Sequence, residues 1–242
     1  MLNGIYGSSP SDIYIVGSDF QINYVIFHFD GISWNLEMTG QGYLNAVWAS
    51  PSGFVAAVGG RDGDNYLIVT KEEDVWGERL INANPIGSYP DYALYSVWGS
   101  SDDTVYAVGG ELFTPYTKSD LFRFSSGDWE LMHAPLLEKV KLTKLSGVSY
   151  SDVYAIGHLT YDPYQILLLH YDGISWVKTL ITSSIDVAWP AALWVAGPDS
   201  VFVSINEYNN IHSQFMYFNG NGWKTLATAA RAPGSIWGFA IP

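Results

Sequence analysis

A five-bladed β-propeller of four-stranded blades is the fold this sequence predicts, and three observations predict it. One phrase recurs five times in 242 residues, most clearly as Tyr95-Ser-Val-Trp-Gly-Ser-Ser-Asp-Asp-Thr-Val-Tyr-Ala-Val-Gly-Gly110. Each copy closes on a glycine turn and a tryptophan, at Trp34, Trp76, Trp129, Trp176 and Trp223. A period of about 45 residues built from short β segments is the spacing of propeller blades. Finally, nothing sustains a helical period. The best candidate, Leu136 to Leu145, is of mixed chemistry and lies between copies. The chain is all-β.

The elements follow in order. In the first copy the strand candidates are Gly4–Gly7, Asp12–Gly17, Tyr24–Phe29 and Ser33–Glu37, rich in β-branched and aromatic residues and separated by Gly, Pro, Ser and Asp. First strands recur at Ala46–Trp48, Ser96–Trp98, Gly147–Ser149 and Leu193–Val195, and second strands at Val55–Val58, Val105–Val108, Val153–Ile156 and Val201–Ile205. Asp30-Gly31 and Asp172-Gly173 are tight-turn pairs, since glycine accepts positive φ without strain. The blades are therefore expected at about 1–40, 41–92, 93–139, 140–187 and 188–231, within one domain. Residues 232–242 contain Ser235-Ile-Trp-Gly-Phe239, a sixth first strand with no second. It is expected to close the ring, which would remove exposed sheet edges; the alternative is a piece of a longer tandem array.

Composition narrows the function. Lys and Arg number 11 against 24 Asp and Glu, a net charge of −13, the reverse of the basic footprint that nucleic acid requires. The same balance disfavours an anionic membrane surface, and no apolar run reaches the length of a membrane span. With no cysteine there is neither a disulfide framework nor a thiolate metal site. No cofactor and no signal-peptide pattern is evident.

The pairs Gly59-Gly60 and Gly109-Gly110, with Tyr171-Asp172 followed by Trp176, resemble kelch-type repeats. The longer phrase, from Val-Trp-Gly-Ser-Ser through Tyr-Asp-Gly-x-Ser-Trp, is similar to tandem propeller repeats of bacterial surface and secreted proteins. The double glycine is absent from copies one, four and five, and copy four lacks the first-strand tryptophan. Asp-Gly-Ile-Ser-Trp also resembles the Asp-box of sialidase-like propellers, without that motif's spacing. What the resemblance implies is a propeller outside or on a bacterial cell.

In such a fold the loops between second and third strands share one face with the loops between blades. Here these are long and unlike one another, whereas the opposite face carries short repeated turns. Diversity over a uniform scaffold marks a working surface. Its candidate ligand-binding residues are Tyr89, Tyr92, Tyr116, Tyr161, Tyr164, Trp189, Tyr208, Asn209 and Asn210. Flat rings with short polar arms suit a glycan or an extracellular protein. A non-enzymatic binding module is the expected function. The alternatives are a glycosidase or polysaccharide lyase with loop-borne carboxylates such as Asp162 and Glu207, and a structural spacer. Against hydrolysis, the inner strands carry no Asp or Glu, though a glycosidase needs two facing carboxyl groups. Asp62, Asp64 and Asn65 form only part of a calcium loop. His28 and His170 occupy one repeated position and read as hairpin supports; His158 and His212 sit in variable loops without metal-ligand spacing.

Overall fold

The computed structural model describes residues 1–83, 92–111, 118–132, 139–160, 165–182, 188–207 and 212–230. Among them are twenty strands in five antiparallel four-stranded sheets, each drawn from consecutive sequence. Sheet 1 holds β1 (Leu2–Ser9), β2 (Asp12–Ser18), β3 (Asn23–Phe29) and β4 (Trp34–Gln41). Sheet 2 holds β5 (Tyr43–Ala49), β6 (Val55–Arg61), β7 (Asn65–Glu72) and β8 (Val75–Asn82). Sheet 3 holds β9 (Tyr92–Ser101), β10 (Thr104–Glu111), β11 (Ser119–Ser125) and β12 (Asp128–Leu131). Sheet 4 holds β13 (Val140–Ser149), β14 (Asp152–Leu159), β15 (Ile166–Tyr171) and β16 (Trp176–Ile181). Sheet 5 holds β17 (Ala188–Gly197), β18 (Ser200–Glu207), β19 (Ser213–Phe218) and β20 (Trp223–Ala229).

Strand order explains composition. Second strands lie inside their sheets, and where both faces are covered the strand is buried throughout: β10 is buried at every residue and reads as the unbroken run Thr-Val-Tyr-Ala-Val-Gly-Gly-Glu, whereas β2 mixes buried and half-buried residues. Fourth strands are edges, and β20 is exposed at all but its first residue. The chain forms two compact units, Met1–Thr114 with Asp120–Met132 and Pro115–Ser119 with His133–Pro242. In the first unit, one core of Tyr14, Tyr24, Ile26, Leu44, Val55 and Leu67 fills the seam between sheets 1 and 2. A second, with Trp48, Phe54, Tyr66, Leu94 and Phe122, fills the seam between sheets 2 and 3. In the second unit, Ile156, Leu168, Val203, Ile205 and Met216 fill the seam between sheets 4 and 5.

Every inner strand is longer than its sequence suggests, and a bulge is the reason. One residue drops out of register at Asn3, Asn45, Tyr95, Thr143 and Ala191. A bulge breaks the alternation on which a sequence reading relies and turns the strand. Opposite it, on the second strand, stand Gly17, Gly59, Gly109 and Gly157, where a Cβ would overlap the carbonyl oxygens of Met1, Tyr43, Ala93 and Lys141. The glycine closing the Val-Tyr-Ala-Val-Gly phrase thus makes room for the bulge in four sheets, whereas in sheet 5 Ile205 stands at that position, opposite Pro190.

Candidate functional site

Each sheet has a loop end and a turn end. At the loop end, sheet junctions are tied to the turns between second and third strands. In the first unit the Gly42 amide donates to the Ile22 carbonyl (2.9 Å), that of Ala83 to Asp64 (2.9 Å) and that of Tyr92 to Gly63 (2.7 Å). In the second, the Thr160 amide donates to the Lys139 carbonyl at 2.9 Å. This is the grouping of loops that the repeat predicts. Asp62 and Gly63 make the turn at positive φ. Asp62, Asp64 and Asn65 therefore belong to a tight hairpin that pins a junction, and among the described residues no three His, Cys, Asp or Glu gather for a metal.

Of the candidate residues, Tyr92 and Trp189 are described; Tyr89, Tyr116, Tyr161, Tyr164, Tyr208, Asn209 and Asn210 lie outside the described residues, as does Asp162. Tyr92 opens β9 at 4% exposure, and its ring meets that of Tyr66 edge-on at 5.8 Å. Its role there is packing. Trp189 is the second residue of β17, opposite Asn206 of β18, and is partly buried. Glu207, at the end of β18, meets His212 Nδ1 at 2.8 Å.

The loop end of sheet 4 adds a group that the sequence reading did not assemble. In the β13–β14 register Lys141 faces His158 and Lys144 faces Ile156, so all four share one side of the sheet. Residues three apart share a side only because Thr143 is bulged between them. Burial, then the neighbouring Lys141 amine, pushes the His158 imidazole down to about 4, so it is neutral at physiological pH. Burial likewise lowers both lysine amines from their ordinary value. His158 Nδ1 and Thr143 Oγ1 are buried without a hydrogen-bond partner among the described residues. The signal was present in the Lys-x-x-Lys within the mixed stretch Leu136 to Leu145, but only the bulge gives it meaning.

The turn end of the first unit differs. Glu72, Glu73, Asp74, Asp102 and Asp103 line a cleft of about 310 Å³ over Phe54 and Phe124. Ser52 Oγ reaches both Asp102 oxygens at 2.7 Å, and Lys71 reaches Asp74 at 3.4 Å. Glu73 and Asp74 make their hairpin at positive φ. These carboxylates come from two hairpins, β7–β8 and β9–β10, so no single sequence stretch announces the cleft.

The repeated histidines are supports. His28 Nε2 meets Asp12 at 2.7 Å, its Nδ1 meets Glu37 at 2.8 Å, and its ring stacks on Tyr14 at 4.3 Å. His170 meets Asp152 at 2.7 Å and stacks on Tyr154 at 4.1 Å. Each pins a third strand to the first turn of its sheet. Burial raises the Glu37 carboxyl, but hydrogen bonds from Lys71, His28 and Trp76 hold it below its ordinary value overall.

Comparison with known proteins places this architecture among β-propellers. No family model matches the chain, and no curated protein matches it in sequence. Among solved structures, it is similar to a GH74 xyloglucanase from Xanthomonas campestris (TM-score 0.63, 12% identity, 93% of this chain). It spans 38% of that enzyme. The lectin of Aleuria aurantia, solved with α-methyl-L-fucoside, matches 95% of this chain and 78% of its own at TM-score 0.59 and 13% identity. YCF48 bound to D1 peptide matches 93% of this chain and 66% of its own at TM-score 0.57 and 13% identity. At these identities the likeness is one of fold. All-β composition, five four-stranded antiparallel sheets and these neighbours define a β-propeller. Among the described residues no helix is long and apolar enough to cross a membrane.

Proposed function

We propose that the chain is a carbohydrate-binding propeller without catalytic activity, working through the loop end of its blades outside a bacterial cell. One observation carries the reading. The inner strands β1, β5, β9, β13 and β17 contain no Asp or Glu, so these strands offer no facing carboxyl pair for hydrolysis. The fold likeness to a fucoside-binding lectin supports the same ligand class. The kelch-like assignment of the repeat belongs with this proposal, as does ring closure by residues 232–242. All four strands of sheet 1 come from its own repeat, so that segment would cover β1 rather than fill a gap. Leu2 and Ile5 stand uncovered at 60% and 67% exposure, while their counterparts Leu44 and Val47 are at 0% and 5%.

A glycan array probed with the whole chain, with calcium and with chelator, tests the function. Specific signal lost in Trp189→Ala, Tyr116→Ala, Tyr161→Ala or Tyr208→Ala is the expected result. A blank array overturns the reading in favour of a protein partner or a spacer. Turnover of a bound glycan that disappears in Asp162→Asn or Glu207→Gln overturns it in favour of an enzyme.

A further inference from the structure

We infer that the β19–β20 turn is a self-modification site, at which Asn219 loses ammonia through attack by the Gly220 backbone nitrogen and becomes a carboxylate. The site lies at the turn end of sheet 5 and is independent of the carbohydrate-binding reading.

Three Asn-Gly pairs occur in the chain: Asn3-Gly4, Asn219-Gly220 and Asn221-Gly222. Asparagine is chemically labile, and a following glycine offers a backbone nitrogen that no side chain shields. The fold gives the three pairs different settings. Asn3 lies in β1, where its Nδ2, the leaving group, donates to the Leu44 carbonyl at 2.9 Å. Asn221 is exposed, and its side chain has no hydrogen-bond partner among the described residues. Asn219 is exposed too, but the Asn221 and Gly222 amides both donate to its Oδ1, at 3.1 and 3.2 Å. Two backbone donors identify that atom as the carbonyl oxygen. Among the described residues nothing holds its Nδ2.

This setting suits the reaction. The Gly220 N–H gives its proton to a solvent base, and the nitrogen forms a bond to Asn219 Cγ. The carbonyl electron pair moves onto Oδ1, where the two amides meet the developing charge as an oxyanion hole does. Its return breaks the Cγ–Nδ2 bond, and the nitrogen takes up a proton and leaves as ammonia. Water then opens the succinimide at either carbonyl, giving Asp or its β-linked isomer. The bond from the Asn221 amide to Oδ1 closes a ring of atoms that contains both Cγ and the Gly220 nitrogen. Gly220 stands at φ +83° against Asp199, where a Cβ would lie 2.8 Å from Asp199 Cβ, so the turn itself requires glycine there.

Two other copies show the product. Asp30 Oδ1 accepts the Ile32 and Ser33 amides, both at 2.8 Å, and Asp172 Oδ1 accepts those of Ile174 and Ser175 at 2.9 and 2.8 Å. The Ser33 and Ser175 amides, then those of Ile32 and Ile174, hold these carboxyls below their ordinary value. A charged acceptor makes the stronger bond to an amide, so the β19–β20 turn gains when amide becomes carboxylate. Ionised, Asp30 and Asp172 resist the same attack.

The test is to hold the whole chain at mildly alkaline pH, in buffer and in unfolding urea, and follow each asparagine by peptide mapping with fragment mass spectra. In urea the two amides no longer hold Oδ1, and Asn219 and Asn221 should react at equal rates. In buffer Asn219 should react about tenfold faster than Asn221, less than the roughly hundredfold of a buried oxyanion donor because the turn is exposed. Asn3 should be slowest. Asn219→Gln, too long to close the same ring, should abolish the fast phase. Equal rates in buffer, a faster Asn221, a chain left unmodified, or a fast phase that survives Asn219→Gln overturns the inference.

Discussion

The seam between sheets 1 and 2 and the seam between sheets 4 and 5 are built on the same bulge and register, yet their polar groups fare differently. In the first, Asn3 Nδ2 at the bulge donates to the Leu44 carbonyl of the next sheet at 2.9 Å. Tyr24 donates to Glu78, Trp76 Nε1 to Glu37 at 3.1 Å, and Ser8 to Asp12. In the second, Thr143 stands at the bulge with Oγ1 unmatched, and His158 Nδ1 and Asp152 Oδ2 are unmatched too. Here the cross-seam bond is the Val195 amide donating to Ser146 Oγ at 3.0 Å. Threonine is too short to copy the reach of asparagine. The comparison teaches that the repeat supplies the scaffold with its bonds completed, and that a copy departing from it leaves polar groups for another partner. The seam between sheets 2 and 3 is intermediate. Asn45 donates to the Leu94 carbonyl at 2.9 Å, but Trp129 Nε1 goes without, because Arg79, another donor, occupies the position of Glu37.

The element common to both seams is the bulge, so closing its space breaks the comparison most severely. Gly59→Ala sets a methyl group against the Tyr43 carbonyl, where backbone rather than a side chain must move. A loss of about 3 kcal/mol is expected, at the upper end of overpacking. Urea denaturation measures it, and a loss below about 1 kcal/mol would mean that the bulge is not rigid.

Next in size is a satisfied buried pair. Tyr66 Oη donates to Asp120 Oδ2 at 2.8 Å with Asp120 only 6% exposed; burial and then that carboxylate hold the phenol well above its ordinary range. Tyr66→Phe removes the donor and leaves the buried carboxylate short of a bond. The expected cost is about 2 kcal/mol, shrinking when Asp120→Asn is added in a double-mutant cycle. An additive cycle would show that the two side chains do not work as a pair.

Much of this was legible in sequence and some was not, for definable reasons. Five sheets could be read because second strands lie inside their sheets and spell similar apolar runs, and because turn glycines recur. The supporting role of His28 and His170 followed from their repeated position. The first halves of the inner strands were lost, because a bulge at Asn45, Tyr95 or Thr143 ends the period of two. Lys141 and Lys144 accordingly resembled a broken helix rather than two residues on one side of a strand. Tyr66 and Asp120 lie too far apart in sequence to suggest each other, and the acidic cleft draws its carboxylates from two hairpins that read only as turns.

The third prediction sharpens the contrast through pH. His158 takes up its proton near pH 4 when folded and near 6.5 when unfolded. Between those values the unfolded chain binds more protons, so the contribution of this residue to stability falls as pH drops through the window. Glu37 in the first unit acts in the same direction at lower pH: its folded value is depressed, and its contribution is lost as the carboxyl protonates. Discounted for partial solvent access, the His158 effect is about 1 kcal/mol. Unfolding midpoints measured across the window should flatten in His158→Gln. If the parent and variant curves run parallel, the imidazole is not withdrawn from water as the geometry implies.

The smallest effect tests whether a missing bond can be restored. Ser8 and Val148 both sit at the second register shift of their inner strands, beside Asp12 and Asp152. In sheet 1 the serine hydroxyl bonds the Asp12 oxygen not used by His28; in sheet 4 valine cannot, and Asp152 Oδ2 is left buried and unmatched. Val148 is 41% exposed, so shortening it forfeits little apolar burial. Val148→Ser should therefore stabilise the chain by about 0.5 kcal/mol, one modest hydrogen bond less the strand preference of valine. The gain should vanish in an Asp152→Ala background, where no carboxylate awaits the hydroxyl. A gain that persists there would trace the effect to strand geometry instead of the restored bond, and the likeness between the two sheets would end at the backbone.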